Sequence, residues 1–297
     1  MCGIIGCIHK SNFKFSINNF SEINQSLSHR GPDSEGVDQF NLGDNIFKIG
    51  HKRLSILDLS ENGHQPMHSN TNRFTISFNG EIYNHFELRK KYLYNKNIVW
   101  KGFSDTETLI NLFDFYEFEQ VLKLIDGMFA FILYDKKDGC IYLVRDRAGE
   151  KPLYITSTNQ LIAFSSDIKS LKQLNGFNKN INTDALKKFL NLNYIPSPLS
   201  IYESTYKLPA ASFIKIITSK IGYSNTNSFN AFISNDFIKY DKWFSIQNST
   251  TSIKSNNKDE YYIERGEEIL NKSVKSQLLS DVPLGAFLSG GIDSSLN

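Results

Sequence analysis

The chain has 297 residues, enough for one large domain or two ordinary ones with a substantial core. Hydrophobic residues make up 40% and charged residues 22%, which excludes a disordered chain, and a net charge of +2 from 33 basic and 31 acidic residues calls for neither nucleic acid nor a membrane surface. No apolar run is long enough to span a bilayer, the N-terminus lacks the basic start of a signal peptide, and three cysteines cannot build a disulfide framework, so a reducing cytoplasm is the expected compartment.

The chain opens "MCGIIGC", a cysteine second in line followed by a short apolar run. From Cys2 to about Ile217 short β-like runs dominate: "FTISF" (Phe74 to Phe78), "MFAFILY" (Met128 to Tyr134), "CIYLVR" (Cys140 to Arg145), "PLYIT" (Pro152 to Thr156) and "LIAFS" (Leu161 to Ser165). The last four follow one another through short turn-forming links, which predicts an antiparallel meander. Several are apolar at odd and even positions alike, so both faces must be covered, by a second sheet or by helices. Helices punctuate them. "NHFELRKKY" and "SDTETLINLFDFYEF" each open on a capping-box pattern, Asn84 with Glu87 and Ser104 with Glu107, and "NTDALKKFLNL" predicts a third helix. From Thr218 to about Asn257 the composition turns rich in Asn and Ser and reads as a linker or a variable surface segment. A helix over "KDEYYIERGEEILNKSVKSQLL" follows, then an apolar strand, "PLGAFL", that runs into "SGGIDSS".

Cys2 is the first candidate for chemistry. Methionine aminopeptidases remove Met1 when the next side chain is small, which leaves a cysteine with a free α-amine of ordinary pKa about 7.7–8.0. One residue then supplies nucleophile and general base. Taken alone, Cys2 is equally a small hydrophobe that comes second. Cys7 and Cys140 read as core, and the six histidines show no metal-ligand spacing. Read singly, the "NG" at Asn79–Gly80 is a hairpin turn, Arg53 a surface arginine, and Asp105 an acid that complements a helix dipole. "SGGIDSS" after a strand presents backbone N–H groups to an anion but lacks the Lys of the usual nucleoside-triphosphatase loop.

Together "MCGI", "HRGPD" (His29 to Asp33), "RLSILD" (Arg53 to Asp58), "NGEIYNH" (Asn79 to His85), "SDTE" (Ser104 to Glu107), "RDRAGEKPLY" (Arg145 to Tyr154) and "SGGIDSS" (Ser289 to Ser295) resemble the class II glutamine amidotransferases, in the branch of glutamine-hydrolysing asparagine synthetases. The resemblance covers nearly the whole chain. It implies an α+β fold: a four-layer αββα N-terminal-nucleophile hydrolase domain with two stacked antiparallel sheets over 2–217, the linker or variable segment over 218–257, and over 258–297 the first strand and loop of an α/β ATP-pyrophosphatase domain.

The resemblance also implies roles. Cys2 attacks the side-chain carbonyl of glutamine and releases ammonia from a γ-glutamyl thioester. Asn79 and Gly80 form the oxyanion hole, Arg53 holds the α-carboxylate, Asp105 and Glu81 meet the α-ammonium, and the backbone of Leu54, Ser55, Ile56 and Leu57 lines the pocket. His29 and Arg30 read as structural support. In the loop, Leu288 contacts adenine through its backbone, and Ser289, Gly290, Gly291, Asp293 and Ser294 hold ATP. The full-length enzyme would use ATP and Mg²⁺ to activate aspartate as β-aspartyl-AMP, while the glutaminase step needs no cofactor, and no residue of this sequence is assigned as a metal ligand. The implied partners are glutamine, aspartate and ATP, with room for a homodimer and no nucleic acid or membrane.

Two departures from the pattern raise alternatives. Ala148 stands where the family has a bulky apolar residue, which leaves open an amidotransferase acting on a sugar-acid carboxylate in surface-polysaccharide synthesis. The sequence stops at Asn297, where a nucleotide domain would begin, so it reads as a truncated portion or fragment, and a non-enzymatic fragment is the third reading.

Overall fold

A computed structural model describes residues 1–13, 20–246 and 259–296. The chain starts in the middle of a sheet. Strand β1 (Gly3–Lys10) pairs antiparallel with β3 (Asn45–Arg53) on one side and with β9 (Leu161–Ser165) on the other. With β2 (Ser34–Leu42), β8 (Tyr154–Ser157) and β10 (Thr205–Lys207) they make a six-stranded sheet in the order β10-β8-β9-β1-β3-β2. A second six-stranded sheet, in the order β12-β11-β7-β6-β5-β4, holds β4 (Met67–His68), β5 (Phe74–Ile82), β6 (Gly127–Asp135), β7 (Cys140–Arg145), β11 (Ser212–Ile217) and β12 (Ile238–Lys242).

The sheets stack face to face over a core of Ile4, Ile8, Phe47 and Ile49 from the first and Ile132, Leu143 and Ile214 from the second, all fully buried. The outer face of the first sheet takes helices α1 (Phe20–Gln25) and α5 (Ile168–Leu171), with Ile5, Cys7 and Ala163 against Ile23 and Leu171. The outer face of the second takes α3 (Asp105–Phe115) and α4 (Phe118–Leu124), with Phe129, Phe131 and Leu133 against Leu109, Leu112 and Val121. This is the expected four-layer α+β fold, and it explains why the strands are apolar on both faces. Cys7 and Cys140 are core, as read.

Two buried polar links tie the sheets together beside each other: His51 Nε2 lies 3.0 Å from the Phe78 carbonyl, and Ser77 Oγ donates to the Gly50 carbonyl at 3.0 Å. Burial first, helped by the charge of Arg53 and by His64 and opposed by the bond to Phe78, lowers the His51 pKa to about 3, so its ring is neutral.

Several local expectations are corrected. The four late strands do not form one meander. They form two hairpins, β6–β7 and β8–β9, in different sheets, because the turn after Arg145 carries the chain from one layer to the other. Asn79–Gly80 is not a turn; it lies inside β5, opposite Ala130 and Phe129 of β6. Ser104 caps α3 through the Glu107 N–H at 3.2 Å, but Asn84 caps nothing: its side chain is spent on the Leu124 carbonyl and the Asp126 N–H. Its segment forms one α-turn, α2 (His85–Leu88), continued by a π-helical turn over Arg89–Leu93. The third expected helix is α6 (Thr183–Leu192), capped by Asn182.

Residues 218–246 are not a linker. They pack on the domain, with α7 (Phe229–Ile233) burying Phe229 and Phe232, β12 extending the second sheet along β11, and Trp243 buried against Phe129. Residues 247–258, which include the rest of that segment, lie outside the described residues. The helix expected near 258 is α8 (Asp259–Ser276), with Ile263 and Leu270 exposed. The strand expected over "PLGAFL" does not form: these residues have no regular structure, and Phe287 and Leu288 face outward, because no strand among the described residues lies alongside to pair with them. The loop after it does enter a helix, α9 (Ile292–Leu296).

Candidate active site

Cys2 sits just ahead of β1, at the end of the first sheet where β3 runs out into residues 54–60. Its thiol lies between the two backbone groups of Leu54: the N–H approaches Sγ at 3.4 Å and the carbonyl lies 3.7 Å away. Arg30 Nε donates to the Cys2 carbonyl at 3.1 Å, and His29 reaches Asp167 at 2.9 Å. Burial pushes the Cys2 thiol up; the Leu54 N–H and the charge of Arg53 work against that, while Asp105 adds to it.

The thiol opens on a cavity of about 90 Å³. Both sheets contribute to it. Cys2 and Arg53 come from the first, Asn79, Gly80 and Glu81 from β5 of the second, and Asp105 from the first turn of α3. Leu54, Ile56 and Leu57 complete one wall. Of the expected pocket residues only Ser55 stands apart; its N–H goes to Asp33 at 2.8 Å, and it lines a neighbouring cavity.

Arg53 is committed to that wall. Its guanidinium donates to the carbonyls of Ser60 at 2.8 Å, Leu57 at 3.1 Å and Asp58. Gly63 lets it lie there, since a Cβ at that position would overlap the guanidinium. Gly80 is needed for a similar reason: a Cβ would run into the Met128 carbonyl of β6.

Two buried groups on the cavity have no hydrogen-bond partner, Asn79 Nδ2 and Glu81 Oε1. Glu81 is pushed up to about 7, by burial first and then by the charge of Asp105, with Lys151 opposing. Burial pushes Asp105 up to about 6 even though it accepts N–H bonds from Ile82 at 2.8 Å and Thr106 at 2.7 Å. Asp105 thus fastens the end of β5 to the start of α3, and the cavity joins a donor without an acceptor to an acceptor without a donor.

Sequence reasoning missed Lys151, which is buried and lines the cavity. The signal was present in "RDRAGEKPLY". Asp146, fully buried, accepts the N–H groups of Phe129, Ala148, Glu150 and Lys151 at 3.0–3.2 Å, a turn that delivers Lys151 to the pocket. Ala148 belongs to that turn and does not line the cavity. Gln65 and Thr106, joined at 3.3 Å, are also part of the lining and carried no sequence signal.

The second expected site is the turn ahead of α9. Leu288, Ser289, Gly290 and Gly291 are exposed, Gly290 has a φ of 75°, and the hydroxyls of Ser289 and Ser294 lie 2.9 Å apart. The side chain of Asp293 lies outside the described residues. No group of three or more His, Cys, Asp or Glu among the described residues is arranged to hold a metal ion, and no helix among them is long and apolar enough to cross a membrane.

Residues 1–228 match the family of the glutamine amidotransferase domain, and residues 265–296 match that of asparagine synthase. The chain is 37% identical over 313 residues to a putative glutamine-hydrolysing asparagine synthetase 2 of Methanocaldococcus jannaschii, covering 99% of this chain and 56% of the relative. It is 33% identical to the glutamine-hydrolysing asparagine synthetase 1 of Bacillus subtilis, covering 99% of this chain and 43% of that one. The chain therefore spans about half the length of the curated relatives it matches. Among solved structures, a glutamine phosphoribosylpyrophosphate amidotransferase from B. subtilis superposes with a TM-score of 0.54 at 16% identity, over 82% of this chain and 49% of that one, a likeness of fold.

Proposed function

The chain belongs to the glutamine amidotransferase family, and from that premise we propose that its domain over residues 2–246 hydrolyses glutamine to glutamate and ammonia with Cys2 as the nucleophile. The observation that carries this reading is the pair of unsatisfied groups on the cavity that Cys2 faces, Asn79 Nδ2 and Glu81 Oε1. The first suits a developing oxyanion and the second an ammonium.

In this reading the α-ammonium of glutamine lies between Glu81 and Asp105, and its carboxylate meets Arg53. Three N–H bonds of that guanidinium go to backbone carbonyls, which leaves two of its five donors for a substrate carboxylate. The Cys2 sulfur adds to the side-chain carbonyl carbon. Asn79 Nδ2–H and the Gly80 N–H receive the oxyanion. Removal of Met1 makes the Cys2 nitrogen a terminal amine, which takes the thiol proton and delivers it to the departing ammonia. Water then cleaves the thioester to glutamate. The terminal amine of Met1, at this same mouth, has its pKa lowered by burial above all and further by Arg30 and Lys151, against the charges of Cys2 and Asp33.

The residues from 259 on add a second proposal. The exposed turn with Gly290 at positive φ and two adjoining serines suits a pyrophosphate, and ATP there would be held by Ser289, Gly290, Gly291, Asp293 and Ser294 with Leu288 beside the base. ATP would supply adenylation of an acceptor carboxylate. Asparagine synthesis, with aspartate as acceptor, is the reading favoured by the asparagine synthase match over 265–296. Three free thiols favour a reducing cytoplasm.

The test is direct. The purified chain is incubated with glutamine, glutamate and ammonia are measured, and hydroxylamine is added to capture the acyl group as glutamyl hydroxamate. Release of both products with capture supports the reading; no release from protein whose Met1 is shown to be removed defeats it.

A further inference from the structure

The wall of the cavity is a short irregular segment, and irregular segments hold their shape only when their backbone groups are tied. Residues 54–60 are tied from the inside by Arg53, through the carbonyls of Leu57, Asp58 and Ser60. Asp58 is fully buried at a φ of 55°, and its carboxylate accepts the N–H groups of Ser60 at 3.2 Å and Phe103 at 2.9 Å. The Ile56 carbonyl and the Asp58 N–H are not among the groups that these bonds tie.

Both go to one residue far along the chain. The Asp281 N–H donates to the Ile56 carbonyl at 3.0 Å, and the Asp58 N–H donates to Asp281 Oδ2 at 2.7 Å. Among the described residues, these two bonds are the hydrogen bonds that join 259–296 to the rest of the chain. A carboxylate acceptor makes the second a charge-assisted bond. Between the two bracketed residues sits Leu57, which lines the cavity together with Ile56. Asp281 itself is exposed, so its side chain serves no core.

We propose that Asp281 is a positioning residue for the glutamine pocket: it clasps Ile56 and Asp58 from outside while Arg53 holds the same segment from inside, and so makes the pocket wall depend on the C-terminal segment. The proposal rests on the glutaminase reading above. Loss of the clasp leaves Cys2, Asn79 and Gly80 in place but frees the wall against which the head group of glutamine is held. The cost falls on substrate binding rather than on the chemical step.

The full chain is compared with Asp281→Ala and Asp281→Asn. Asparagine keeps an oxygen that can accept from the Asp58 N–H; alanine keeps none. Hydrogen exchange of the 56–60 amides reads the clasp itself, and steady-state glutamine hydrolysis reads its effect. Asp281→Ala is expected to speed exchange at Asp58 and to raise KM for glutamine about tenfold, the scale of one hydrogen bond to a charged group, with kcat nearly unchanged. Asp281→Asn restores most of both. Unchanged exchange in Asp281→Ala overturns the clasp, and faster exchange with an unmoved KM overturns its role in the pocket. A parent chain that hydrolyses no glutamine overturns the glutaminase reading and the coupling with it, whereas an active parent with an indifferent Asp281→Ala overturns the coupling alone.

Discussion

The N–H of Leu54 points at the sulfur of Cys2 from 3.4 Å. A backbone donor at that place favours the thiolate over the thiol, against a burial that pushes the thiol pKa up. The sulfur is thus held as a thiol until a base takes its proton, and it has a donor ready when that happens. Cys2→Ala is expected to abolish glutamine hydrolysis and leave the unfolding midpoint close to the parent's. An N-terminal tag that cannot be removed should do the same by blocking the amine. Normal turnover by the tagged protein, assayed as ammonia release, would show that no terminal amine takes part.

Arg53 and Asn79 should fail in different ways. Arg53→Ala removes both a contact to the substrate carboxylate and the inner tie on residues 57–60, so KM should rise strongly. Asn79→Ala removes a donor that has no partner until charge develops, so kcat should fall on the order of a hundredfold with KM little changed. Steady-state kinetics on the two variants separates the effects, and an exchange of the two patterns would refute the assignment.

Glutamine binding should weaken as the solution is acidified. Glu81 and Asp105 are pushed up to about 7 and about 6, so both gain protons as pH falls from 8 to 5 and stop balancing an ammonium. KM should therefore rise on the acid side. Lys151 opposes the rise in Glu81, so Lys151→Met should move that limb to higher pH. Initial rates across pH 5 to 8, on the parent and the Lys151 variant, read both effects; a limb that stays put after the substitution would remove Lys151 from the pocket electrostatics.

Stability should respond to pH through two opposed sets of groups. Burial lowers His51 to about 3 and His85 to about 4, so the unfolded chain binds their protons first and stability is lost as pH falls below about 6.5. For Glu81 and Asp105 the folded pKa lies above the unfolded one, so their share of stability is present at low pH and is lost as pH rises toward 7. The two trends offset between about pH 5 and 7. Glu81→Gln removes one compensating group, so its denaturant midpoint should drop more steeply than the parent's on going from pH 7 to pH 5. Parallel curves for the two proteins would contradict the account.

The strands were legible because their runs are short, aromatic and bounded by turn residues, and the covering of both their faces followed from apolar residues at odd and even positions. Which sheet each hairpin joins was not legible, since "RDRAGEKPLY" gives no sign in isolation that Asp146 gathers four N–H groups into a turn between layers. Composition misled over 218–246, where Asn and Ser sit on the outside of a segment whose Phe232 and Trp243 are buried. The pocket residues were legible through motif resemblance, Ser55 excepted. Lys151, Gln65 and Thr106 were not, because their place depends on the meeting of elements distant in sequence.

The links from His51 to Phe78 and from Ser77 to Gly50 act as alignment pins. The two halves of the cavity are machined on separate sheets, Cys2 and Arg53 on one and Asn79 to Glu81 on the other. A slip of one residue along a strand is a displacement of about 3.3 Å and turns every side chain to the opposite face. Such a slip would carry Asn79 away from the sulfur and drive its amide into the packing under α3. The pins stand one to three residues from the working surface along their strands, where tolerance is tightest. With the His51 ring neutral down to about pH 3, this registration does not titrate anywhere in the range where the pocket carboxylates do.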